Sequence, residues 1–174
     1  MRRLKLCATA VGVLSMLACT PVFDWRDVRP QDSGLTAQFP CKPTSHTRSA
    51  TLAGVRVPMT LLSCEAGGAT FALSHADLGD AARATDALIE LRTALAGNVE
   101  AASIRSAAFT LAGMTPNPQA VRVALAGRLP DGTVVQEHAV LFARGVRVYQ
   151  AVVLGVRLDE GAANIYFDSL RLTP

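Results

Sequence analysis

A change of hydrophobic period along the chain constrains the fold most. Four runs of about ten residues in the C-terminal half, three of them rich in valine, fit strands with at least one covered face. Asp131-Gly132 and Arg144-Gly145 supply turns, so successive strands are predicted to pair in an antiparallel meander. The runs are IRSAAFTLAG, AVRVALAGRL, TVVQEHAVLFA and VRVYQAVVLGV.

Further β-like runs occupy the N-terminal half. LTAQFP forms a short alternating run, and HTRSATLAG and VRVPMTLLSCEAGG predict a hairpin about Ala53-Gly54. Pro58 lies inside the second arm and donates no backbone hydrogen bond, which predicts an edge or bulged strand there. Ala69–Leu78 alternates again and predicts another strand.

Two stretches have helical spacing instead. From Asp80, small and apolar residues recur every three or four positions, which predicts a helix capped by Asp80 and ended by Gly97. A second helix is predicted from Asp159 and Glu160, whose charges suit a helix N-terminus. The order strands, helix, strands, helix predicts an α+β fold, an antiparallel sheet of about six to seven strands with helices packed on it. The first helical stripe is Ala81, Ala84, Leu88, Leu91 and Leu95, and the second is Ala163, Phe167 and Leu170.

The N-terminus predicts export and lipid attachment. A basic start, MRRLK, precedes the apolar run Leu6–Ala18, which is shorter than the about 20 residues of a membrane-spanning helix. MLAC, ending at Cys19, is similar to a bacterial lipobox, in which signal peptidase II cuts before a diacylglycerol-modified cysteine. Met16 stands where that pattern prefers leucine. We therefore predict a lipoprotein signal peptide over residues 1–18 and lipid on Cys19; the alternative is an ordinary cleaved signal peptide.

The residue after Cys19 predicts to which of the two membranes the lipoprotein is sorted. Inner-membrane lipoproteins usually carry aspartate there, and this chain has Thr20. By that resemblance the protein is anchored at the periplasmic face of the outer membrane; without lipid it would be soluble in the periplasm. Residues 19–33 are predicted to form a tether and first strand, and residues 34–174 the α+β domain. Trp25 is predicted to pack on the sheet, with a position at the bilayer surface as the alternative.

The positive charge belongs to the predicted signal peptide. The chain has 17 basic and 14 acidic residues, and Arg2, Arg3 and Lys5 account for the excess of three. The remaining 14 basic residues balance the 14 acidic ones and include no basic cluster. We therefore predict no nucleic-acid partner.

Two cysteines remain in the domain after Cys7 leaves with the signal peptide and Cys19 takes lipid. Cys41 and Cys64 each lie beside a β-like run, and two thiols in an oxidising periplasm are expected to pair. The alternative is a redox or metal pair, which a Cys-x-x-Cys spacing would favour, and that spacing is absent. We predict a structural disulfide.

No catalytic or metal-binding pattern is recognisable. His46, His75 and His138 have no ligand at zinc-site spacing, so neither a metal nor a cofactor is predicted. Ser74, His75 and Asp77 have the residue types of a hydrolytic triad, but adjacent strand residues point to opposite faces. Five arginines recur through the meander and form either a polar face for a protein partner or ordinary solvated surface. They are Arg122, Arg128, Arg144, Arg147 and Arg157.

Two short motifs resemble those of PsbP-like domains. FPCKP (Phe39–Pro43) is similar to their early F-P-x-x-P element, and YFDSLRL (Tyr166–Leu172) is similar to the end of their C-terminal helix. The order of elements matches over nearly the whole mature chain. The resemblance implies an α/β/α sandwich and a role in binding partners, since the superfamily includes the extrinsic PsbP subunit of photosystem II, nuclear Ran-binding proteins and many bacterial lipoproteins. No functional residue of the photosynthetic members has a matching motif here.

Three functions are compatible with these features. The first is a non-catalytic binding or assembly module for another envelope protein, because the chain combines an anchor and a compact domain with no catalytic pattern. The second is a carrier or sensor of a small apolar ligand in a cleft between sheet and helix. The third is a hydrolase assembled from Ser74, His75 and other polar groups, which would have to converge in a cleft.

Overall fold

The computed structural model describes residues 21–173, so the predicted signal peptide and Cys19 lie outside the described residues. Ten strands and two α-helices are formed within this range. In chain order they are β1 (Arg26–Val28), β2 (Leu35–Phe39), β3 (Thr44–Leu52), β4 (Val55–Ala66), β5 (Ala69–Asp77), α1 (Ala84–Asn98), β6 (Ser103–Ala108), β7 (Val121–Arg128), β8 (Val134–Arg144), β9 (Arg147–Gly155), α2 (Glu160–Asp168) and β10 (Arg171–Leu172).

Seven antiparallel strands form the main sheet, in the spatial order β3-β4-β5-β9-β8-β7-β6. Two meanders, β3-β4-β5 and β6-β7-β8-β9, meet where β5 pairs with β9. The α1 helix leads from the centre of the sheet to its edge at β6. Strands β1, β2 and β10 form a separate three-stranded sheet. The predicted α+β class, with helices on a largely antiparallel sheet, is confirmed.

Both faces of the main sheet are covered. On β8, Val135, Ala139 and Leu141 face α1, whereas Val140 and Phe142 face α2 and the small sheet. Each face therefore has its own hydrophobic core, and we call them the α1 face and the α2 face. Apolar side chains of the central strands are therefore buried on both faces of the sheet.

The start of α1 follows the predicted capping. The Asp80 carboxylate accepts a hydrogen bond from the backbone N–H of Ala82 (2.9 Å), at a single 3₁₀ turn that leads into the helix. Ala81 lies in that turn and is exposed, so it does not belong to the buried stripe. The buried residues of α1 are Ala84, Ala87, Leu88, Leu91 and Leu95.

The predicted end of α1 at Gly97 is wrong. The helix continues to Asn98, and Glu100 takes the left-handed conformation with a φ of 40°. The N–H of Ala101 donates to the carbonyl of Ala96 (2.9 Å), and the N–H of Glu100 donates to that of Gly97 (3.2 Å). These two bonds are the Schellman arrangement, which places a residue with a Cβ where glycine is usual.

Replacing Glu100 with glycine should therefore stabilise the protein. Glycine adopts positive φ without steric cost, so we expect the free energy of unfolding to rise by about 0.5–1 kcal/mol. Urea unfolding followed by circular dichroism measures the change. Glu100→Ala is the control because it removes the charge and keeps the Cβ. An equal gain from Glu100→Ala would assign the effect to charge at the helix end instead of backbone strain.

The prediction that Pro58 marks an edge or bulged strand is wrong for β4 as a whole. This strand pairs with β3 on one side and with β5 on the other. The ladder with β5 begins at Met59, whereas Pro58 pairs only with Ser49 of β3. Pro58 thus occupies a part of β4 with one neighbouring strand, where a missing N–H can be accommodated.

The run Ile104–Gly113 forms a shorter strand than predicted. Strand β6 ends at Ala108, and residues 109–120 connect it to β7 without regular structure. Phe109 and Met114 in this connection pack on the core of the α2 face, with the Phe109 ring centroid 5.6 Å from that of Phe142. The apolar residues of this run are therefore used for packing instead of strand pairing.

Candidate functional site

A cleft opens between the C-terminal half of α1 and the main sheet, on the α1 face. It has two connected halves of about 460 and 270 Å³, which we call the helix cleft. The outer half faces β3, and the inner half lies over β5, β9 and β8. Both halves are lined by Leu61, Ser74, Asn98 and Gln150. The residues that line only the outer half include Arg48, Met59, Glu90 and Leu91. The inner half alone is lined by Thr70, Ala72, Leu95, Glu137, Val152 and Leu154.

The side chains that create the cleft are small. Ala72 and Ser74 on β5 point to the α1 face, where larger residues would reach the helix. Leu95 and Asn98 descend from the last turns of α1 and form the roof. The result is a pocket at the junction between two layers of secondary structure, in which apolar side chains supply most of the exposed surface although nearly half of the lining residues are polar. Ligand pockets of soluble proteins commonly have this composition and position.

Glu137 is the unusual group in this cleft. Glu137 is only 3% exposed, and among residues 21–173 no group forms a hydrogen bond with its buried Oε2. The residues paired with it across the sheet are Leu125 on β7 and Leu154 on β9. Burial alone raises the pKa of Glu137 to about 7. A carboxyl group that changes charge near neutral pH inside a cleft is a typical sign of a functional site.

Glu137 should make stability depend on pH. Its pKa is about 7 in the folded protein against 4.5 when exposed, so between these values the folded state holds a proton that the unfolded chain has lost. Stability therefore falls as pH rises through this window, and we expect Glu137 to cost about 3 kcal/mol at pH 8. Glu137→Gln should match the wild type near pH 4 and exceed it by that amount near pH 8. Urea unfolding at both pH values tests this, and an equal difference at both would contradict it.

Glu137 was not identified from the sequence, although the signal was present. In TVVQEHAVLFA, Glu137 has the same phase as Val135, Ala139 and Leu141, which all turn out to be buried. The other phase of the same run contains His138, Val140 and Phe142 and is equally apolar, so neither phase stands out as the buried one. Alternation cannot show that both phases are buried until the covering layers are known.

The triad-like residues do not come together. Ser74 lies on the α1 face in the helix cleft, whereas His75 and Asp77 lie on the α2 face. This confirms that neighbouring residues of the strand point to opposite sides. Ser74 and His75 are therefore separated by the sheet itself, and His75 cannot act as a base for the Ser74 hydroxyl.

His75 instead lines a polar groove of about 430 Å³ on the α2 face. Thr60 pairs opposite it, and the hydroxyls of Thr60 and Thr47 are 2.8 Å apart. Arg147 lies 3.5 Å from the Asp77 carboxylate at the end of this groove. Burial lowers the pKa of His75, and the Arg147 charge lowers it further while Asp32 raises it. The imidazole is thereby kept neutral at physiological pH.

The remaining histidines have no partner set for a metal. His46 is exposed on β3, and His138 Nδ1 lies 3.6 Å from Glu160 Oε2, beyond hydrogen-bond distance. Burial lowers the pKa of His138, and the Glu160 charge opposes that shift. Within residues 21–173, no group of three or more His, Cys, Asp or Glu side chains is placed to hold a metal ion.

Four of the five meander arginines contact other parts of the chain. The Arg122 guanidinium lies 5.0 Å from the Phe167 ring centroid and donates to Asn164 Oδ1 (2.7 Å). The others bind a turn carbonyl, the C-terminal segment and an aspartate. Arg128 donates to Gly132, Arg144 to Thr173, and Arg147 pairs with Asp77, while Arg157 is exposed.

Cys41 and Cys64 form a disulfide, as predicted, with their Cα atoms 6.0 Å apart. Cys41 follows β2 of the small sheet, and Cys64 belongs to β4 of the main sheet, so the bond joins the two sheets. Trp25 lies just before β1 and packs on Phe71 of the main sheet, with ring centroids 6.3 Å apart. The indole thus contributes to the core of the α2 face.

Comparison with known proteins leaves the family open. No protein-family model matches the chain, and no curated protein matches its sequence. Among residues 21–173, none of the helices has the length and apolar character required to cross a membrane.

Proposed function

We propose that this protein is a periplasmic lipoprotein, anchored through Cys19 at the outer membrane, that binds a small and mainly apolar molecule in the helix cleft without transforming it. The observation that carries the proposal is an apolar cleft containing one buried carboxyl group, Glu137, with an unpartnered oxygen. An apolar ligand would remove from water the surface that Leu61, which is 37% exposed, and the half-buried Leu154 present in the cleft. Burial of apolar surface is the main favourable term for such binding.

The size of the cleft fits this role. Pockets that hold small molecules typically have volumes of about 300–1,000 Å³, and the outer half alone has about 460 Å³. Continuity between the halves gives an elongated space, from the mouth beside Arg48 to the inner end beside Glu137. This shape suits a chain-like or flat molecule whose polar group reaches the inner end.

Filling the cleft should abolish binding. The neutral fluorescent probe N-phenyl-1-naphthylamine is expected to bind the wild-type protein with an increase in emission. Leu95→Trp places a large ring in the inner half and should weaken binding at least about tenfold. Ile89→Trp is the matched control, because Ile89 is 44% exposed on the outer side of the same helix.

Leu61→Trp provides a second test if Leu95→Trp folds poorly. Leu61 lies at the mouth of both halves and is 37% exposed, so a larger side chain there leaves the core intact. Circular dichroism and urea unfolding establish that each variant is folded. Probe binding that is absent from the wild type, or equal in all folded variants, would refute the proposed site.

A second candidate function is the assembly of another envelope protein. The observation that favours it is β6, which is an edge of the main sheet and exposed at all six residues. An exposed edge can accept a strand from a partner. A photo-crosslinking residue at Ile104, with another at Ala50 of the opposite edge as control, would capture such a partner in cells. Equal products from both edges would count against β6.

The anchor is tested separately from the binding site. Intact mass measurement of the protein, expressed with its own N-terminus in a Gram-negative host, should show a chain beginning at Cys19 with lipid attached. Cys19→Ala should release the protein from the membrane fraction. The mass of an unmodified chain would exclude lipidation and leave the ligand-binding proposal standing. The resemblance to PsbP-like domains supports a non-catalytic role, since its better-known members act by binding.

A further inference from the structure

We propose that the ligand of the helix cleft carries a basic amine, and that its ammonium group pairs with the Glu137 carboxylate at the inner end. This inference rests on the ligand-binding function proposed above and specifies the chemistry of the ligand. It follows from the charges around Glu137, the polar atoms beside it, and the absence of a basic side chain in the inner half.

Every element packed around Glu137 presents an uncharged group to it. The facing residues are Leu125 on β7 and Leu154 on β9, and α1 contributes Leu95 and Asn98 above them. Among the described residues that line the inner half, Glu137 is the only ionisable group. The other charged groups of the cleft are Arg48 and Glu90, which line only the outer half, and Glu90 Oε2 accepts the backbone N–H of Ala53 (2.8 Å).

Above its pKa, Glu137 is a buried carboxylate without a partner among the described residues, and a ligand bound beside it has to compensate its charge. An anionic head group would add a second negative charge beside the first in a medium of low dielectric constant. An alcohol could make one hydrogen bond but would leave the negative charge unbalanced. An ammonium group supplies both the opposite charge and hydrogen-bond donors, which makes a charge-assisted pair.

The neighbouring polar atoms suit the remaining protons of an ammonium group. A primary ammonium has three N–H donors and no acceptor. Thr70, which lies in the same row of the sheet as Leu154 and Glu137, and Asn98 at the end of α1 line the inner half, and each has an oxygen able to accept a hydrogen bond. Ser74 and Gln150 lie four residues further along their strands, towards the outer half. Apolar residues surround this small polar end, so the ligand is expected to be an amphipathic amine with a hydrocarbon body.

Proton linkage predicts how binding depends on pH. The pKa of Glu137 is about 7 in the free protein, so the carboxylate forms as pH rises through neutrality. An alkylamine, with a pKa near that of lysine, stays protonated to about pH 10. Amine affinity should therefore rise between about pH 5.5 and 8.5, whereas the affinity of a neutral ligand should change little.

The test compares three probes that share a ten-carbon chain, namely decylamine, decanol and decanoate, by displacement of N-phenyl-1-naphthylamine. At about pH 8.5 decylamine should displace the probe about tenfold more effectively than decanol, equivalent to about 1.4 kcal/mol, and decanoate should be weakest. At about pH 5.5 the preference for the amine should largely disappear. Glu137→Gln should remove it at both pH values without weakening decanol.

Glu65→Gln is the matched control, because it removes one exposed carboxylate that does not line either half of the helix cleft. It should keep the preference for decylamine, and loss of that preference would attribute it to general charge. If the probe and decanol bind but the amine has no advantage, the inference is wrong and the proposed function remains. If neither the probe nor any decyl compound binds, both are wrong.

Discussion

Gly127→Ala is expected to destabilise the protein by at least about 3 kcal/mol. A Cβ at Gly127 would lie 2.0 Å from the carbonyl oxygen of Val99 and 3.0 Å from that of Glu100. These are backbone atoms at the end of α1, held because the N–H of Arg128 donates to the Val99 carbonyl (2.6 Å). The helix end would have to move away from β7, which disturbs packing and this bond together.

Gly97→Ala is the matched control for this prediction. Gly97 lies in the last turn of α1, close to the helix end that Gly127 contacts. A Cβ added at Gly97 would meet no described atom within 4 Å. Alanine is a better helix former than glycine, so this variant should be more stable by about 0.5–1 kcal/mol. Urea unfolding of both variants gives the comparison. A loss of less than about 1 kcal/mol for Gly127→Ala would show that the contact between α1 and β7 is easily adjusted.

Removing the disulfide is expected to cost about 3 kcal/mol. The bond joins residues 23 apart in sequence, and the chain-entropy model assigns roughly this value to a loop of that length. It also connects Cys41, beside β2, with Cys64 of β4, so its loss frees the small sheet from the main sheet. The measurement is urea unfolding of the double variant Cys41→Ala/Cys64→Ala at neutral pH.

Reduction of the wild-type protein provides the control for that experiment. If the bond itself stabilises the fold, the reduced wild type and the double variant should lose similar amounts of stability. A much larger loss in the variant would point to packing of the two side chains. Unchanged stability in both would mean that contacts such as Trp25 on Phe71 hold the small sheet without the bond.

The Gly127 and disulfide variants should differ in their effect on ligand binding, because only Gly127 lies near the helix cleft. The absence of a Cβ at Gly127 lets the end of α1 lie close to β7. The last turns of the same helix provide Leu95 and Asn98 to the cleft. A variant that moves this helix end should also change probe binding, even if it remains folded. The disulfide lies on the other side of the sheet and should affect stability more than binding.

Local patterns were sufficient for most strands and both helices. Alternation predicted β5, and valine-rich runs separated by glycine-containing turns predicted β7, β8 and β9, because these signals lie within the strands themselves or directly beside them. The Asp80 and Asp159 caps were predictable because they act within one helical turn, and both are formed. The pairing of Cys41 with Cys64 followed from their number and from the predicted oxidising compartment.

Other features required knowledge of neighbouring elements. Pro58 was tolerated in β4 because β5 ends beside it, and the length of a neighbouring strand is not encoded near the proline. Gly97 was a reasonable helix end by composition, yet the chain turns at Glu100, since β7 bonds to the carbonyl of Val99. In both cases a contact distant in sequence overrode a local preference.

The sequence alone determined the class of the fold, the sites of most turns and the identity of the disulfide, because periodicity, capping and cysteine number act locally or by counting. The opposite directions of Ser74 and His75 were likewise predictable from the alternation of a strand. Only the tertiary structure decided that Glu137 is buried with no hydrogen-bond partner among the described residues. The helix cleft is formed by α1 and strands that lie apart in the chain. Its shape, and the pKa of the carboxyl group within it, arise from burial that no local pattern specifies.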